Sequence, residues 1–266
     1  MHTEIIIAGF HRSGTSMVTQ LLHAAGLFVG DDLLGAMPSN PYGHFEDTEV
    51  VAIHERILAD NSVNWQVGHP LILRVSPNRW SEAARFVSAR RLAHGTWAFK
   101  DPRVCLFLPV WKHLLPAAKL LVVFRSAVDA AYSLERRHSS QYLAGEGSEH
   151  NHLRFWREPD LALRMWLEHN RGLLRFADHY PDDAIAVSFD TVSSGFPLVD
   201  LLNERWHLAL DPIPSHRLFD PSATSSRTYP MTVSDPNLID AAMESWQRLI
   251  ELERRTALAW EPRRAA

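Results

Sequence analysis

Gly9-Phe10-His11-Arg12-Ser13-Gly14-Thr15-Ser16 stands between the apolar run Ile5-Ile6-Ile7 and the periodic segment Met17 to Ala25. A glycine-bounded loop between a strand and a helix start aims backbone N–H groups at a phosphate, and the helix dipole adds to the attraction. The spacing falls one residue short of the triphosphate pattern G-x-x-x-x-G-K-[ST], because Thr15 stands where the lysine belongs. Such a loop keeps the cradle and lacks the cation that serves the outer phosphates. It points to a nucleotide without a triphosphate, held by Arg12, Ser13, Gly14, Thr15 and Ser16.

A second constellation follows Lys119-Leu120-Leu121-Val122-Val123-Phe124, whose continuous apolar run reads as a buried parallel strand. In phosphoryl-transfer enzymes such a strand commonly ends in the aspartate that helps to hold magnesium. Here it ends in Arg125, which repels a metal and attracts a phosphate. Ser133 lies about two helical turns further on. It can share that anion if its helix folds back beside the strand end.

At these stretches the sequence resembles the sulfotransferases that use 3′-phosphoadenosine 5′-phosphosulfate (PAPS). That family has a loop of the form [KR]-S-G-T-[ST] for the 5′-phosphosulfate. It also has a strand-end arginine, with a serine eight residues later, for the 3′-phosphate. Arg12-Ser13-Gly14-Thr15-Ser16 and the pair Arg125/Ser133 fit both patterns. Asn40-Pro41-Tyr42-Gly43-His44-Phe45-Glu46, Trp97-Ala98-Phe99-Lys100-Asp101-Pro102-Arg103 and Leu163-Arg164-Met165-Trp166 add similarity to a bacterial branch, over about residues 4 to 190. The resemblance implies a P-loop NTPase-like sulfotransferase fold of three α/β/α layers around a central parallel sheet. It also implies PAPS as donor, no required metal, and Arg12 as the cation facing the leaving oxygen. A late basic loop closes over the 3′-phosphate in related enzymes, and Arg227 is the residue here that suits this role.

An acceptor hydroxyl also needs a base. Glu46 resembles a catalytic carboxylate of several sulfotransferases and is the first choice. His44, two residues earlier, belongs to the residue type that titrates near neutrality, and on an extended segment the two face the same way. Asp101, paired with Lys100 just after a strand, is a third possibility, because ligands of open α/β sheets bind at the carboxyl edge.

The elements that must position these groups alternate between strand and helix, the pattern of an α/β protein. Met17, Val18, Leu21, Leu22 and Ala25 mark one face of a first helix, which Gly26 terminates. Helices are also expected over Glu49–Leu58, Trp80–Leu92, from Asp129 to Arg137, Leu161–Phe176 and Asn237–Leu258. Short strands are expected at Trp97–Lys100 and Ala184–Phe189. The polar, glycine-punctuated stretch 138–158 reads as a flexible loop, either a cover over the site or a surface loop with no part in catalysis, and 211–236 as an irregular loop.

With 266 residues, 46% of them hydrophobic, the chain is expected to form one domain spanning 1–266. A net charge of −4 argues against general nucleic-acid binding. A single cysteine, Cys105, precludes an internal disulfide and suits a reducing compartment. The opening Met1-His2-Thr3-Glu4 has no basic n-region, and no stretch reaches the roughly 18 apolar residues of a membrane span. Cytoplasmic residence is the expectation. None of the fifteen histidines has the spacing of a zinc hydrolase. Trp65 and Trp166 are placed to line an acceptor pocket, and the acceptor itself is a hydroxyl of a glycan, lipid or small metabolite. Two other readings stand beside this one: a kinase-like phosphotransferase with a degenerate loop, and a non-catalytic nucleotide-binding protein.

Overall fold

The computed structural model describes residues 3–35, 43–214 and 233–261. Strand β1 is Thr3–Ala8, and helices α1 (Thr15–Ala24), α2 (Thr48–Asp60) and α3 (Pro77–Ala93) lead to β2 (Thr96–Lys100). A 3₁₀ turn (Pro102–Leu106) and α4 (Leu108–Leu114) precede β3 (Lys119–Phe124). Then come α5 (Ala127–Leu143), α6 (Glu149–His152), α7 (Arg154–Arg157), α8 (Leu161–His179) and β4 (Ala184–Ser188). The chain continues through α9 (Phe189–Ser193), α10 (Leu198–Trp206) and α11 (Pro236–Glu253), which ends in a π-helical turn, Arg254–Leu258.

The four strands are all parallel, in the order β2-β1-β3-β4. Side-chain alternation along the strands sorts the apolar residues into two cores. Ile6, Ala8, Phe99, Leu120, Val122 and Phe124 meet α2, α3, α4, α5, α8 and α11 on one face. Ile5, Ile7, Ala98, Leu121, Val123, Ile185 and Val187 meet α1, α9 and α10 on the other. Both faces are covered, which is why the strands read as unbroken apolar runs. The result is the expected α/β class with helices on both sides of a parallel sheet.

The first connection from β1 leads to β2 on one side, whereas β3 flanks β1 on the other. The crevice between the carboxyl ends of β1 and β3 is therefore a topological switch point, where open α/β sheets bind ligands. Gly9 makes this crevice narrow. A Cβ there would lie 2.0 Å from the Val123 carbonyl oxygen, so only glycine lets the loop after β1 rest on β3.

Two expectations need correction. Phe189 does not end β4; it opens α9, with Ser188 capping the helix by accepting from the Thr191 N–H (3.0 Å). The stretch 138–158, expected as a flexible loop, is mostly helical: α5 runs on to Leu143, and α6 and α7 follow. Gly145, at φ 73°, stands just beyond the end of α5, and Ser148 caps α6. Arg154 ties this region down through Glu158 Oε1 (2.6 Å) and the Gln66 carbonyl (3.1 Å). Polar composition marks solvent exposure, and exposed helices share it with loops. Of 211–236, residues 215–232 lie outside the described residues, and Arg227 with them.

Candidate active site

The loop between β1 and α1 turns through Arg12 at φ 65° and Gly14 at φ 91°, with the Ser13 N–H bonded to the Phe10 carbonyl (3.1 Å). Gly14 is the N-cap of α1, and no side chain caps the helix. Its first-turn N–H groups are free of side-chain partners, as an anion site requires. Phe189 packs so close beneath Gly14 that a Cβ would come within 2.6 Å of its ring. The Ser13 hydroxyl is buried without a partner.

The side chains around this cradle are cationic. Arg12 Nε donates to Ser133 Oγ (3.0 Å), so α5 folds back against the loop and delivers Ser133 there. Arg125, at the end of β3, stacks its guanidinium 4.8 Å over the Phe189 ring. Burial, then Arg137, then Arg125 pull the Arg12 guanidinium down to about 10. Among the described residues no carboxylate lies within ion-pair distance of Arg12, Arg125 or Arg137. Positive charge is thus crowded beside an uncapped helix start, an arrangement that favours an anion.

Facing the loop stands a second group. The segment before α2 reaches it through Ser16, whose hydroxyl donates to the His44 carbonyl (3.1 Å). The Lys100 ammonium, 1% exposed, donates to Glu46 Oε1 (2.9 Å) and to Ser16 Oγ (3.2 Å). Parallel pairing of Ile7 with Lys100 sets this ammonium beside the loop. An ammonium thus reaches the loop from β2, a placement sequence reasoning missed because it depends on strand register.

Glu46 also lies 3.6 Å from Arg103 and 3.8 Å from His44 Nδ1. Burial pushes its carboxyl up, but Lys100, the neighbouring His44 and the charge of Arg103 outweigh this, and the net direction is down. Glu46 is a carboxylate held ionised. The facing of His44 and Glu46 was expected from an extended segment, yet Phe45 sits at φ 53°. The pair meets across a turn.

Asp101 is a different case. It is fully buried, accepts from the Arg103 backbone N–H (2.9 Å) and Arg103 Nε (2.8 Å), and bonds His54 Nδ1 (2.7 Å). Trp111 Nε1 donates to His54 Nε2 (2.7 Å), so Nδ1 carries the proton and donates to Asp101. Burial raises the Asp101 carboxyl, but Arg103 and His54 together hold it far below the usual carboxylate range. A carboxylate so enclosed orders the 3₁₀ turn after β2 and has no access to an acceptor. Trp166 is likewise core: it is 0% exposed and donates Nε1 to the Arg125 carbonyl (3.1 Å). Trp65 is half-buried, stacked on His138 (5.2 Å between centroids) and beside His11 (5.0 Å).

Among the described residues, no cluster of three His, Cys, Asp or Glu side chains is placed to hold a metal. No helix there is long and apolar enough to cross a membrane.

No family model matches the chain, and no curated protein matches it. Among solved structures, it is similar to the sulfotransferase STF1 from Mycobacterium tuberculosis H37Rv. The identity is 16% and the TM-score 0.47, over 95% of this chain and 77% of that one.

Proposed function

We propose that this protein is a sulfotransferase that moves the sulfuryl group of PAPS to a hydroxyl of a glycan, lipid or small-molecule acceptor. One observation carries the reading: three arginines with no carboxylate partner among the described residues converge on an uncapped helix start, opposite a Lys100–Glu46 pair. A donor with a 5′-phosphosulfate and a 3′-phosphate suits this charge. The buried, unpartnered Ser13 hydroxyl fits its oxygens.

When bound, PAPS supplies a sulfuryl group on a phosphate leaving group. Arg12, the N–H groups of Gly14, Thr15 and Ser16, and the hydroxyls of Ser13, Thr15 and Ser16 hold the 5′ end; Arg125 and Ser133 hold the 3′-phosphate. Arg12 and the α1 N-terminus favour negative charge on the oxygen that leaves with the phosphate. Glu46, kept ionised by Lys100, takes the acceptor's hydroxyl proton, and His44 orients the carboxylate. Asp101 has no part in the transfer. The fold places no carboxylate for magnesium at the end of β3, which counts against the kinase-like reading. The single cysteine favours the cytoplasm as the place of reaction.

The test is titration calorimetry with adenosine 3′,5′-bisphosphate without magnesium, compared with ATP plus magnesium. Binding of the bisphosphate and not of ATP is expected. The reverse result would make the loop a kinase's. Bisphosphate binding with no turnover on any acceptor panel would favour a nucleotide-binding protein.

A further inference from the structure

Arg137 belongs to none of the contacts assigned so far. It lies one helical turn beyond Ser133 on α5, and residues four apart share a helix face. Its Nη2 is 3.5 Å from His44 Nε2, and its Nε is buried with no hydrogen-bond partner. A buried guanidinium N–H left unmade is costly. Two buried arginines avoid that cost: Arg90 Nη2 reaches Asp47 Oδ2 at 2.7 Å, and Arg103 Nε reaches Asp101 Oδ1 at 2.8 Å.

The position of Arg137 is as informative as its unpartnered Nε. Its charge depresses Arg12 more than that of Arg125 does. Burial lowers its own guanidinium, and Glu46 is the charge that opposes this. Arg137 therefore feels the charge of both Arg12 and Glu46, the two groups that the PAPS reading sets on either side of the transferred sulfuryl group, with His44 Nε2 3.5 Å from its Nη2.

We propose that Arg137 recognises the sulfuryl end of the donor, taking its non-bridging oxygens on Nε and the terminal guanidinium nitrogens. The inference rests on the PAPS reading. It makes Arg137 the residue that distinguishes the sulfated donor from the bisphosphate product, a task the phosphate contacts of Arg12, Arg125 and Ser133 do not perform.

Calorimetry without acceptor tests this, using PAPS and adenosine 3′,5′-bisphosphate against the wild type, Arg137→Ala and Arg137→Lys. Arg137→Ala is expected to bind the bisphosphate as the wild type does and PAPS roughly 10- to 100-fold more weakly, the span of a charge-assisted hydrogen bond. Arg137→Lys, which keeps the charge and loses the planar fork, is expected to fall between them. Unchanged bisphosphate binding also reports an intact fold, and Arg137→Lys carries the test if the alanine variant does not fold. Equal weakening of both nucleotides would place Arg137 on a phosphate and overturn the proposal. An unchanged PAPS-to-bisphosphate ratio with a raised acceptor KM would overturn it too, in favour of an anionic acceptor. A wild type that binds neither nucleotide would remove the PAPS reading itself, and this proposal with it.

Discussion

Glu46 and Arg125 illustrate how the same charge logic assigns opposite tasks to single side chains. Glu46 is surrounded by cations that keep it ionised, so it can accept a proton well into acid. Glu46→Gln is expected to lower kcat by about 10²- to 10⁴-fold, the usual worth of a general base, and to leave bisphosphate affinity unaltered. Because the carboxyl is held below its ordinary range, the acid limb of kcat/KM is expected below about pH 4.3. An acid limb near neutrality would instead make an imidazole the base. Among the described residues Arg125 has no carboxylate to neutralise it, and its guanidinium lies over the Phe189 ring. Arg125→Ala is expected to weaken bisphosphate binding by about 1.5–3 kcal/mol. An unaltered Kd in calorimetry would detach Arg125 from the 3′-phosphate.

At the scale of elements, the end of β2 is where binding and stability part company. Lys100 and Asp101 are neighbours in sequence; one turns to the phosphate loop, the other into a network that joins α2, the 3₁₀ turn and α4. Asp101→Asn strips Arg103 of its main partner and is expected to cost about 3–5 kcal/mol, as when a buried pair is broken. Urea denaturation measures it, and a loss within 1 kcal/mol (on the order of an exposed pair) would contradict the network's role. The folded-state value of Asp101 lies below the ordinary one, so its contribution is present above about pH 4 and is lost as pH falls through the lowered value. Acid denaturation should therefore be less steep in Asp101→Asn than in the wild type.

For the molecule as a whole, the proposed nucleotide site would couple ligand to fold. Loop, β3, α5 and α9 meet at Arg12 and Arg125, and the repulsion between these two guanidinium groups opposes their approach. Adenosine 3′,5′-bisphosphate at 100 times its Kd is expected to stabilise the protein by about 2.7 kcal/mol, and to do so equally with a chelator present. Thermal unfolding with and without the nucleotide reads this directly. A stabilisation that vanishes with the chelator would introduce a metal into the site.

The chain's local patterns were legible before any coordinates. The apolar runs of β1 and β3, the glycine loop, Arg125 at a strand end and the helix carrying Ser133 are short-range features, and periodicity and motif spacing report them well. Contacts between residues far apart were not legible. Sequence alone could not divide Lys100 from Asp101, turn Phe45 so that His44 meets Glu46, or place Phe189 under both Gly14 and Arg125. Nor could it show that the polar stretch after His138 is helical, since solvated helix and loop share a composition. Those outcomes depend on strand order and register, on close approach at Gly9 and Gly14, and on which buried charges find partners. The sequence by itself determined that a glycine loop of the kind that suits an anion lies between the first strand and a helix start; the tertiary structure decided which cations surround it, because only packing brings Arg12, Arg125 and Arg137 together with no carboxylate of the described residues within ion-pair distance.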